Sequence, residues 1–128
     1  MQLGTHIIID AVYKGNLDDI AIIQACFDGL CDLYGMTVLN RYHHLFDPQG
    51  LTCVYTLSES HLSIHTWPEH QRFCADLFTC SKDVNVDEIV ETLSKGLGVT
   101  QSRVRVLSRE VLSPGSSPMQ QKNLRSVA

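Results

Sequence analysis

The stretch from Ser58 to Glu69, S-E-S-H-L-S-I-H-T-W-P-E, constrains the fold of this chain more than any other. It contains the only tryptophan and two of the six histidines. Within it, apolar or β-branched residues alternate with reactive ones, namely Leu62, Ile64 and Thr66 against His61, Ser63 and His65. This alternation predicts a strand with one buried and one accessible face, ended by Pro68.

Five further stretches have the composition of strands. The first is rich in Ile and Val, and the third follows a strong turn signal, Asp47-Pro48-Gln49-Gly50. The predicted strands are residues 5–13, 36–46, 51–57, the central stretch that ends at Pro68, 72–80 and 104–112. In the fifth of these, Cys74, Asp76 and Cys80 share one face.

Two segments have the apolar periodicity of helices. Asn16 is predicted to cap the first helix, which runs to about Tyr34 and ends at Gly35. Its apolar positions recur at steps of three and four, at Ile20, Ile23, Phe27, Leu30 and Tyr34. Asp83 or Asn85 is predicted to cap the second helix, which runs to about Lys95 and is ended by Gly96 and Gly98.

The resulting order, β-α-β-β-β-β-α-β, predicts an α+β fold. We expect a two-layer α/β sandwich, with a mostly antiparallel sheet and two helices on one of its faces. Residues 1–112 are predicted to form a single domain, and residues 113–128, rich in Ser, Pro and Gln, a loose tail. The sheet face without helices must be solvated or covered by a partner, which favours a homodimer.

Composition excludes several classes of protein. The net charge of -4 argues against binding to nucleic acid, and there is no apolar run near 18 residues that would span a membrane. The N-terminus lacks the features of a signal peptide. Five cysteines without framework spacing predict free thiols in a reducing compartment, the cytoplasm.

The Glu59-Ser60 dipeptide is the sharpest candidate for chemistry. A serine hydroxyl can attack the carbonyl that precedes it and convert the amide into an ester. Elimination then breaks the chain, and hydrolysis of the resulting dehydroalanine leaves a pyruvoyl group at residue 60. Such a carbonyl forms a Schiff base with an amine substrate and acts as an electron sink. The alternative is an ordinary surface serine at the start of a strand.

Two further residues are candidates for acid–base work. His65 suits proton transfer during processing, because imidazole titrates near neutrality. Ser60 and His65 differ by an odd number, however, so they face opposite sides of a regular strand unless a turn or bulge intervenes near Ser60. Cys80 can return a proton to a carbanion left by decarboxylation, and its alternative role is that of a packed core thiol.

A zinc site is the competing interpretation of the same residues. His61, His65, Cys74 and Cys80 carry suitable ligand atoms. The H-x-x-x-H spacing places two histidines on one face of a helix, whereas this segment is predicted to be a strand, and there is no C-x-x-C pair. We therefore predict no metal.

Several segments resemble one known family. The central block, the later F-T-C, and the segments L-G-T-H-I-I-I-D, H-H-L-F-D-P-Q-G-L-T and D-L-F-T-C-S-K-D-V are similar to the short prokaryotic form of S-adenosylmethionine decarboxylase. The resemblance covers residues 3–110. It implies a pyruvoyl-dependent lyase of polyamine (spermidine) biosynthesis that is made as a proenzyme and is built from dimers with active sites near the interface.

The resemblance also implies roles for residues. Cleavage would fall between Glu59 and Ser60, giving a β chain of residues 1–59 and an α chain of residues 60–128. His65 matches the processing histidine and Cys80 the catalytic proton donor. Phe46, which would stack on adenine, is grouped with Thr52 and Glu69 as the predicted substrate-binding residues.

Departures from the family pattern leave the substrate open. Thr52 stands where a Ser that assists processing is common, Cys53 where Gly is usual, and Thr5 where Arg is common. We expect these changes to fall around the pocket and not on the processing motif. S-adenosylmethionine is the first choice of substrate, and the alternative is L-ornithine or L-arginine, with Asp47 or Glu69 binding the distal cation. A further alternative is an uncleaved, non-catalytic paralogue.

Overall fold

The structure is a computed structural model, and it describes residues 1–115. The elements in chain order are β1 (Gln2–Tyr13), α1 (Ile20–Leu33), β2 (Val38–Leu45), β3 (Leu51–Leu57), β4 (Ser60–Trp67), a 3₁₀ turn (Pro68–His70), β5 (Arg72–Thr79), α2 (Val86–Leu97) and β6 (Val99–Glu110). This order is the predicted one, with the short 3₁₀ turn added. Neither helix in the described part of the chain is long and apolar enough to cross a membrane.

The six strands form one sheet in the order β2-β3-β4-β5-β1-β6. All neighbouring strands are antiparallel. Strands β2 to β5 follow one another as hairpins, whereas β1 inserts between β5 and β6. The central segment with its two histidines is therefore an interior strand, β4, flanked by β3 and β5.

The hydrophobic core lies between the helices and one face of the sheet. In β4 the side chains of Leu62, Ile64 and Thr66 are buried, as the alternation predicts. They share the core with buried residues of both helices, which are Ile23, Cys26, Phe27, Leu30, Cys31, Ile89, Leu93 and Leu97. The predicted α+β sandwich with two helices on one face is confirmed.

The other face of the sheet, which we call the open face, carries no helix. Register places side chains of all six strands in rows across it. One row passes through Thr52, His65 and Cys74, and its full membership is His44, Thr52, His65, Cys74, Asp10 and Arg103. The predicted polar rows of β4 and β5 lie on this face.

The start of α1 differs from the prediction. The N-cap is Asp19, whose carboxylate accepts a hydrogen bond from the N–H of Ala21 at 3.0 Å. Asn16 instead accepts from the N–H of Asp18 at 3.0 Å, three residues earlier, and forms a local turn. Asp18 accepts from the N–H of Gly50 at 3.2 Å and so links this turn to the start of β3.

The predicted end of α1 at Gly35 is close to the observed one, since the C-cap is Tyr34 and Gly35 has a φ of 62°.

The second helix and the last strand also differ in their ends. Of the two predicted caps Asn85 is the one used, and its side chain accepts from the N–H of Glu88 at 3.1 Å. Gly96 lies inside the helix, and Gly98, with a φ of 72°, is the C-cap. β6 begins directly afterwards at Val99, five residues before its predicted start at Val104. The predicted tail, residues 113–128, lies outside the described residues from position 116 onward.

Candidate active site

Glu59, Ser60 and Cys80 form a compact group, which we call the Ser60 group, at one end of β4. The Cys80 thiol donates to the carbonyl oxygen of Glu59, with Sγ and O 2.9 Å apart. The backbone N–H of Cys80 donates to Ser60 Oγ at 3.3 Å. Cys80, which follows Ser60 by 20 positions in the chain, thus contacts both residues of the Glu59–Ser60 peptide.

The backbone at Glu59 is strained. Ser58 and Glu59 form a two-residue turn between β3 and β4, since Leu57 pairs directly with Ser60. Glu59 has a φ of 58°. In the described part of the chain, Gln71 is the only other non-glycine residue with a positive φ. A side chain in this region costs free energy, and such positions cluster at functional sites.

A second group of predicted residues lines a cavity of about 400 Å³ at the other end of β4. We call it the aromatic cavity. It contains Phe46, Thr52, His65 and Glu69, which are the three predicted substrate-binding residues and the predicted processing histidine. Its complete lining is Phe46, Gln49, Gly50, Thr52, His65, Thr66, Trp67 and Glu69.

Polar contacts order the walls of the aromatic cavity. Thr52 Oγ1 and His65 Nδ1 are hydrogen-bonded at 2.9 Å, between neighbouring strands. Gln49 Nε2 donates to Glu69 Oε2 at 3.3 Å. Phe46 makes an edge-to-face contact with the ring of His44, with ring centroids 4.6 Å apart.

Sequence reasoning gave no role to Gln49 and Trp67 in this cavity. The signal for Trp67 was its parity, because it lies two residues after His65 and therefore on the same side of β4. Gln49 lies in the loop between β2 and β3, where strand periodicity does not apply. Its contact with Glu69 depends on tertiary packing that the sequence does not reveal.

The two groups are not adjacent within one chain. A turn does lie next to Ser60, at Ser58 and Glu59, but β4 pairs with β3 and β5 without a register shift, so no turn or bulge lies between Ser60 and His65. Ser60 and His65 therefore belong to opposite faces of β4. Five residues of strand also separate them by roughly 16 Å along its axis.

Cys53 does not lie at the pocket, which corrects the expectation that the departures from the family pattern surround it. Its side chain is buried on the helix side of the sheet, opposite Ile64 and within the hydrophobic core. Thr52, one residue earlier, faces the other way and does line the aromatic cavity. Burial raises the pKa of the Cys53 thiol to about 11.

The four residues of the competing zinc interpretation are not brought together as one group. His61, His65, Cys74 and Cys80 are spread along the open face and its end. Within residues 1–115, the group whose ligand atoms come together is His6, His61 and Asp76. His6 is 55 positions from His61 in the chain, and only the insertion of β1 beside β5 brings it close.

Asp76 is the centre of that group. Its Oδ2 accepts from the Nε2 atoms of His6 and His61, each at 2.7 Å, and its Oδ1 accepts from Ser63 Oγ. Burial alone would raise the pKa of Asp76, but the hydrogen bonds from Ser63, His6 and His61 outweigh it and lower the pKa. The carboxylate is therefore ionised at neutral pH.

Comparison with known proteins places this architecture. As an antiparallel six-stranded sheet with two helices on one face, the chain is a two-layer α+β protein. It superimposes on the crystal structure of the adenosylmethionine decarboxylase from Aquifex aeolicus with a TM-score of 0.74 and 27% sequence identity. The match covers 91% of this chain and 98% of that one.

Sequence comparison identifies the family. The family model described as S-adenosylmethionine decarboxylase matches residues 5–110. The S-adenosylmethionine decarboxylase proenzyme of Methanococcus maripaludis is 35% identical over 116 residues, covering 89% of this chain and 95% of that protein. The proenzyme of Prochlorococcus marinus is 35% identical over 112 residues, with coverages of 85% and 89%. The chain belongs to the S-adenosylmethionine decarboxylase family, as the resemblance of its motifs indicates.

Proposed function

We propose that this protein is a self-processing, pyruvoyl-dependent decarboxylase of polyamine biosynthesis that acts on S-adenosylmethionine. The observation that carries the proposal is the Ser60 group, in which a serine, a strained carbonyl and a thiol meet at one peptide bond. Family membership and the named decarboxylase proenzymes among its relatives support it.

The residues of the Ser60 group suit self-cleavage. Ser60 Oγ attacks the carbonyl carbon of Glu59, and the Cys80 thiol, already hydrogen-bonded to that carbonyl oxygen, stabilises the charge that develops there. The left-handed conformation of Glu59 raises the free energy of the intact turn relative to the cleaved one. The C–N bond of the peptide breaks as the ester forms, and elimination of the Glu59 carboxylate then yields chains of residues 1–59 and 60–128. Hydrolysis of the dehydroalanine at residue 60 releases ammonia and leaves the pyruvoyl group.

The same residues fit a pyruvoyl group at position 60. The position is at a strand start, beside a thiol that is only partly exposed and that already reaches the neighbouring carbonyl. When present, the group supplies a carbonyl that condenses with the α-amine of the substrate and accepts the electron pair released with CO₂. Cys80 holds a proton at Sγ, and we assign to it the return of that proton to the α-carbon of the product.

The aromatic cavity suits an adenosyl sulfonium substrate. Phe46 and Trp67 are 49% and 44% exposed, so each presents ring surface on which adenine can stack. A sulfonium near these rings gains cation–π attraction. The Glu69 carboxylate can accept hydrogen bonds from ribose hydroxyls, and Thr52 and His65 offer further polar contacts at the inner wall.

The distance between the two groups leads us to propose a homodimer. The Ser60 group and the aromatic cavity lie at opposite ends of β4, so one chain does not hold a substrate between them. Two copies related by a two-fold axis present the same surface to each other in opposite directions. With the open faces in contact and the strands running in opposite directions, the Ser60 group at the end of β4 in one protomer would lie beside the aromatic cavity and the partner's His65.

We also propose that residues 1–112 act as one domain and that the protein works in the cytoplasm. A single hydrophobic core draws on both helices and on strands from both predicted chains. All five cysteines are free thiols, which suits a reducing compartment.

Intact mass under denaturing conditions tests the self-cleavage. We expect two species that divide after Glu59, the larger with a blocked N-terminus, and a single 14.3 kDa species for Ser60→Ala. Ser63→Ala, which alters the nearest other serine of β4, is the matched control and should still cleave. A wild-type chain that stays whole on prolonged incubation would refute the proposal and favour the uncleaved paralogue.

A substrate panel tests the specificity. Release of CO₂ from carboxyl-labelled S-adenosylmethionine, L-ornithine and L-arginine is measured with the same cleaved protein. We expect turnover of S-adenosylmethionine and a large rise in KM for it in Phe46→Ala, because stacking on that ring is lost. Turnover of ornithine or arginine in preference would assign the cavity to a basic amino acid and Glu69 to its distal cation.

A further inference from the structure

The open face carries a second cluster that the proposed reaction does not use, formed by His6, His61 and Asp76. The three come from β1, β4 and β5, three adjacent interior strands whose positions are fixed by sheet register. All three side chains are partly buried, with exposed fractions of 16%, 41% and 26%. Their candidate ligand atoms lie within 4.8 Å of one another.

We propose that this cluster is a binding site for a divalent transition-metal ion, with Zn²⁺ as the best match. Two imidazoles and one carboxylate, with a coordination position left for water, are a donor set that such ions favour. The proposal is independent of the decarboxylase assignment, because it uses none of the residues of the Ser60 group or of the aromatic cavity.

Zinc binding requires the two imidazoles to move away from the Asp76 carboxylate. At zinc bond lengths, ligand atoms around a tetrahedral ion stand about 3.3 Å apart. The two Nε2 atoms now lie 2.7 Å from Asp76 Oδ2, closed onto the carboxylate. Rotation of two partly exposed imidazoles can open each separation by about 0.6 Å.

Neighbouring side chains already orient the cluster. Ser63 Oγ donates to Asp76 Oδ1 and leaves Oδ2 turned toward the imidazoles. The Phe78 ring lies against both histidines, with ring centroids 5.7 Å from His6 and 6.1 Å from His61. A cavity of about 250 Å³ bordered by His6, His61 and Phe78 lies beside the cluster in the single chain.

Arg109 sets the affinity of the site. Its guanidinium donates to Nδ1 of His6 at 3.1 Å, which places the imidazole proton on Nε2. Metal binding needs the other tautomer, with Nε2 free and the proton on Nδ1, so Arg109 must move aside. The side chain is exposed at the edge strand β6 and can do so. Asp76 binds the ion as a carboxylate, and both imidazoles bind it as neutral rings. In each imidazole the proton moves from Nε2 to Nδ1, so binding releases no proton overall.

Titration of the metal-free protein as purified with Zn²⁺ in a calorimeter tests the proposal. We expect one ion per chain for the wild type and for His43→Gln, the matched control on β2 outside the cluster. His61→Gln and Asp76→Asn should each weaken binding at least tenfold. Arg109→Gln should tighten it about tenfold, because a glutamine oxygen can accept the Nδ1 proton of His6.

Co²⁺ as a spectroscopic probe identifies the ligands. We expect visible d–d bands from a nitrogen and oxygen donor set, unchanged in Cys74→Ser. Strong thiolate charge-transfer bands would show that cysteines hold the ion and would overturn the assignment. So would absence of Zn²⁺ binding to the wild type, or equal affinity of the wild type and His61→Gln. If Asp76→Asn fails to fold, His61→Gln and Arg109→Gln still decide the question.

Discussion

Cys80 contacts both residues of the Glu59–Ser60 peptide, since its thiol donates to the Glu59 carbonyl and its N–H donates to Ser60 Oγ. Only the thiol contact depends on the side chain. The two roles proposed for Cys80, an early one at the carbonyl and a later one as a proton donor, can therefore be tested separately.

Replacing the thiol should separate the two roles. We expect Cys80→Ala to cleave slowly and, once cleaved, to turn over at least about 100-fold more slowly, because the proton donor is lost. Cleavage followed on denaturing gels and CO₂ release per cleaved chain give the two rates. Cys74→Ser, which alters the other accessible thiol, is the control. Normal turnover by Cys80→Ala would remove Cys80 from its proposed role.

The cysteines divide into two classes by reactivity. Burial raises the pKa of Cys26, Cys31 and Cys53 to about 11. Partial burial and the neighbouring Asp10 carboxylate also raise the pKa of Cys74, but its side chain is exposed, and that of Cys80 is partly exposed. At pH 8 the native protein should therefore show two thiols that react with a chromogenic disulfide reagent, and five after denaturation. A third rapidly reacting thiol would show that the helix layer opens in solution.

At the level of elements, the strand pattern was predictable and the caps were only partly so. Alternation in β4 correctly assigned the buried side to Leu62, Ile64 and Thr66. Asn16 and Asp19 are both good caps, and their side chains accept the same kind of hydrogen bond from an N–H two residues on. The sequence alone does not show which of Asn16 and Asp19 caps the helix and which forms a local turn.

The turn between β3 and β4 gives a test of strain. In a Ser60→Ala background, Glu59→Gly should raise the free energy of unfolding by about 1 kcal/mol, because glycine adopts a φ of 58° without steric cost. With Ser60 present, the same change should slow cleavage. Urea denaturation and a cleavage time course measure the two effects.

Gln71 provides the matched control for this experiment. Its φ of 51° is also left-handed, but it lies in the turn after the 3₁₀ segment. Gln71→Gly should stabilise the chain by a similar amount and leave the cleavage rate unchanged. Equal slowing by both variants would mean that stability, and not strain at the cleaved bond, controls the rate.

On the scale of the whole molecule, the cluster around Asp76 joins three strands and makes stability depend on pH. The folded pKa of Asp76 lies below the unfolded value of 3.8, so its contribution is complete above that pH and is lost as the pH falls through the folded value. In a Ser60→Ala background, Asp76→Asn should lower Tm by roughly 5–10 °C at pH 7. The difference should shrink near pH 3, as calorimetry can show. A difference that is the same at both pH values would contradict this assignment.

Parity in β4 correctly predicted that Ser60 and His65 face opposite sides, but the expected bulge that would reunite them is absent. A single sequence describes one chain, and a site shared between two chains leaves no periodic signal in it. The sequence indicated the residues of the Ser60 group and of the aromatic cavity and the opposite orientation of Ser60 and His65, whereas the missing bulge was visible only in the structure.

Complementation tests the shared site. Neither Ser60→Ala nor His65→Ala should cleave efficiently alone. Co-expressed with different tags, they should form mixed dimers in which the His65→Ala chain is cut, because its partner supplies the intact histidine. Cleavage of His65→Ala alone at the normal rate, or none in the mixture, would contradict a site built from two protomers.

The position of β1 between β5 and β6 determines what self-cleavage does to the molecule. Residues 1–59 supply β1, β2 and β3, and residues 60–128 supply β4, β5 and β6, so the two pieces interleave within one sheet. The proposed scission at the Glu59–Ser60 bond cuts the backbone once, in the connection between β3 and β4, and does not separate any pair of hydrogen-bonded strands. The two chains can dissociate only if the sheet itself unfolds, because strands of each chain pair with strands of the other.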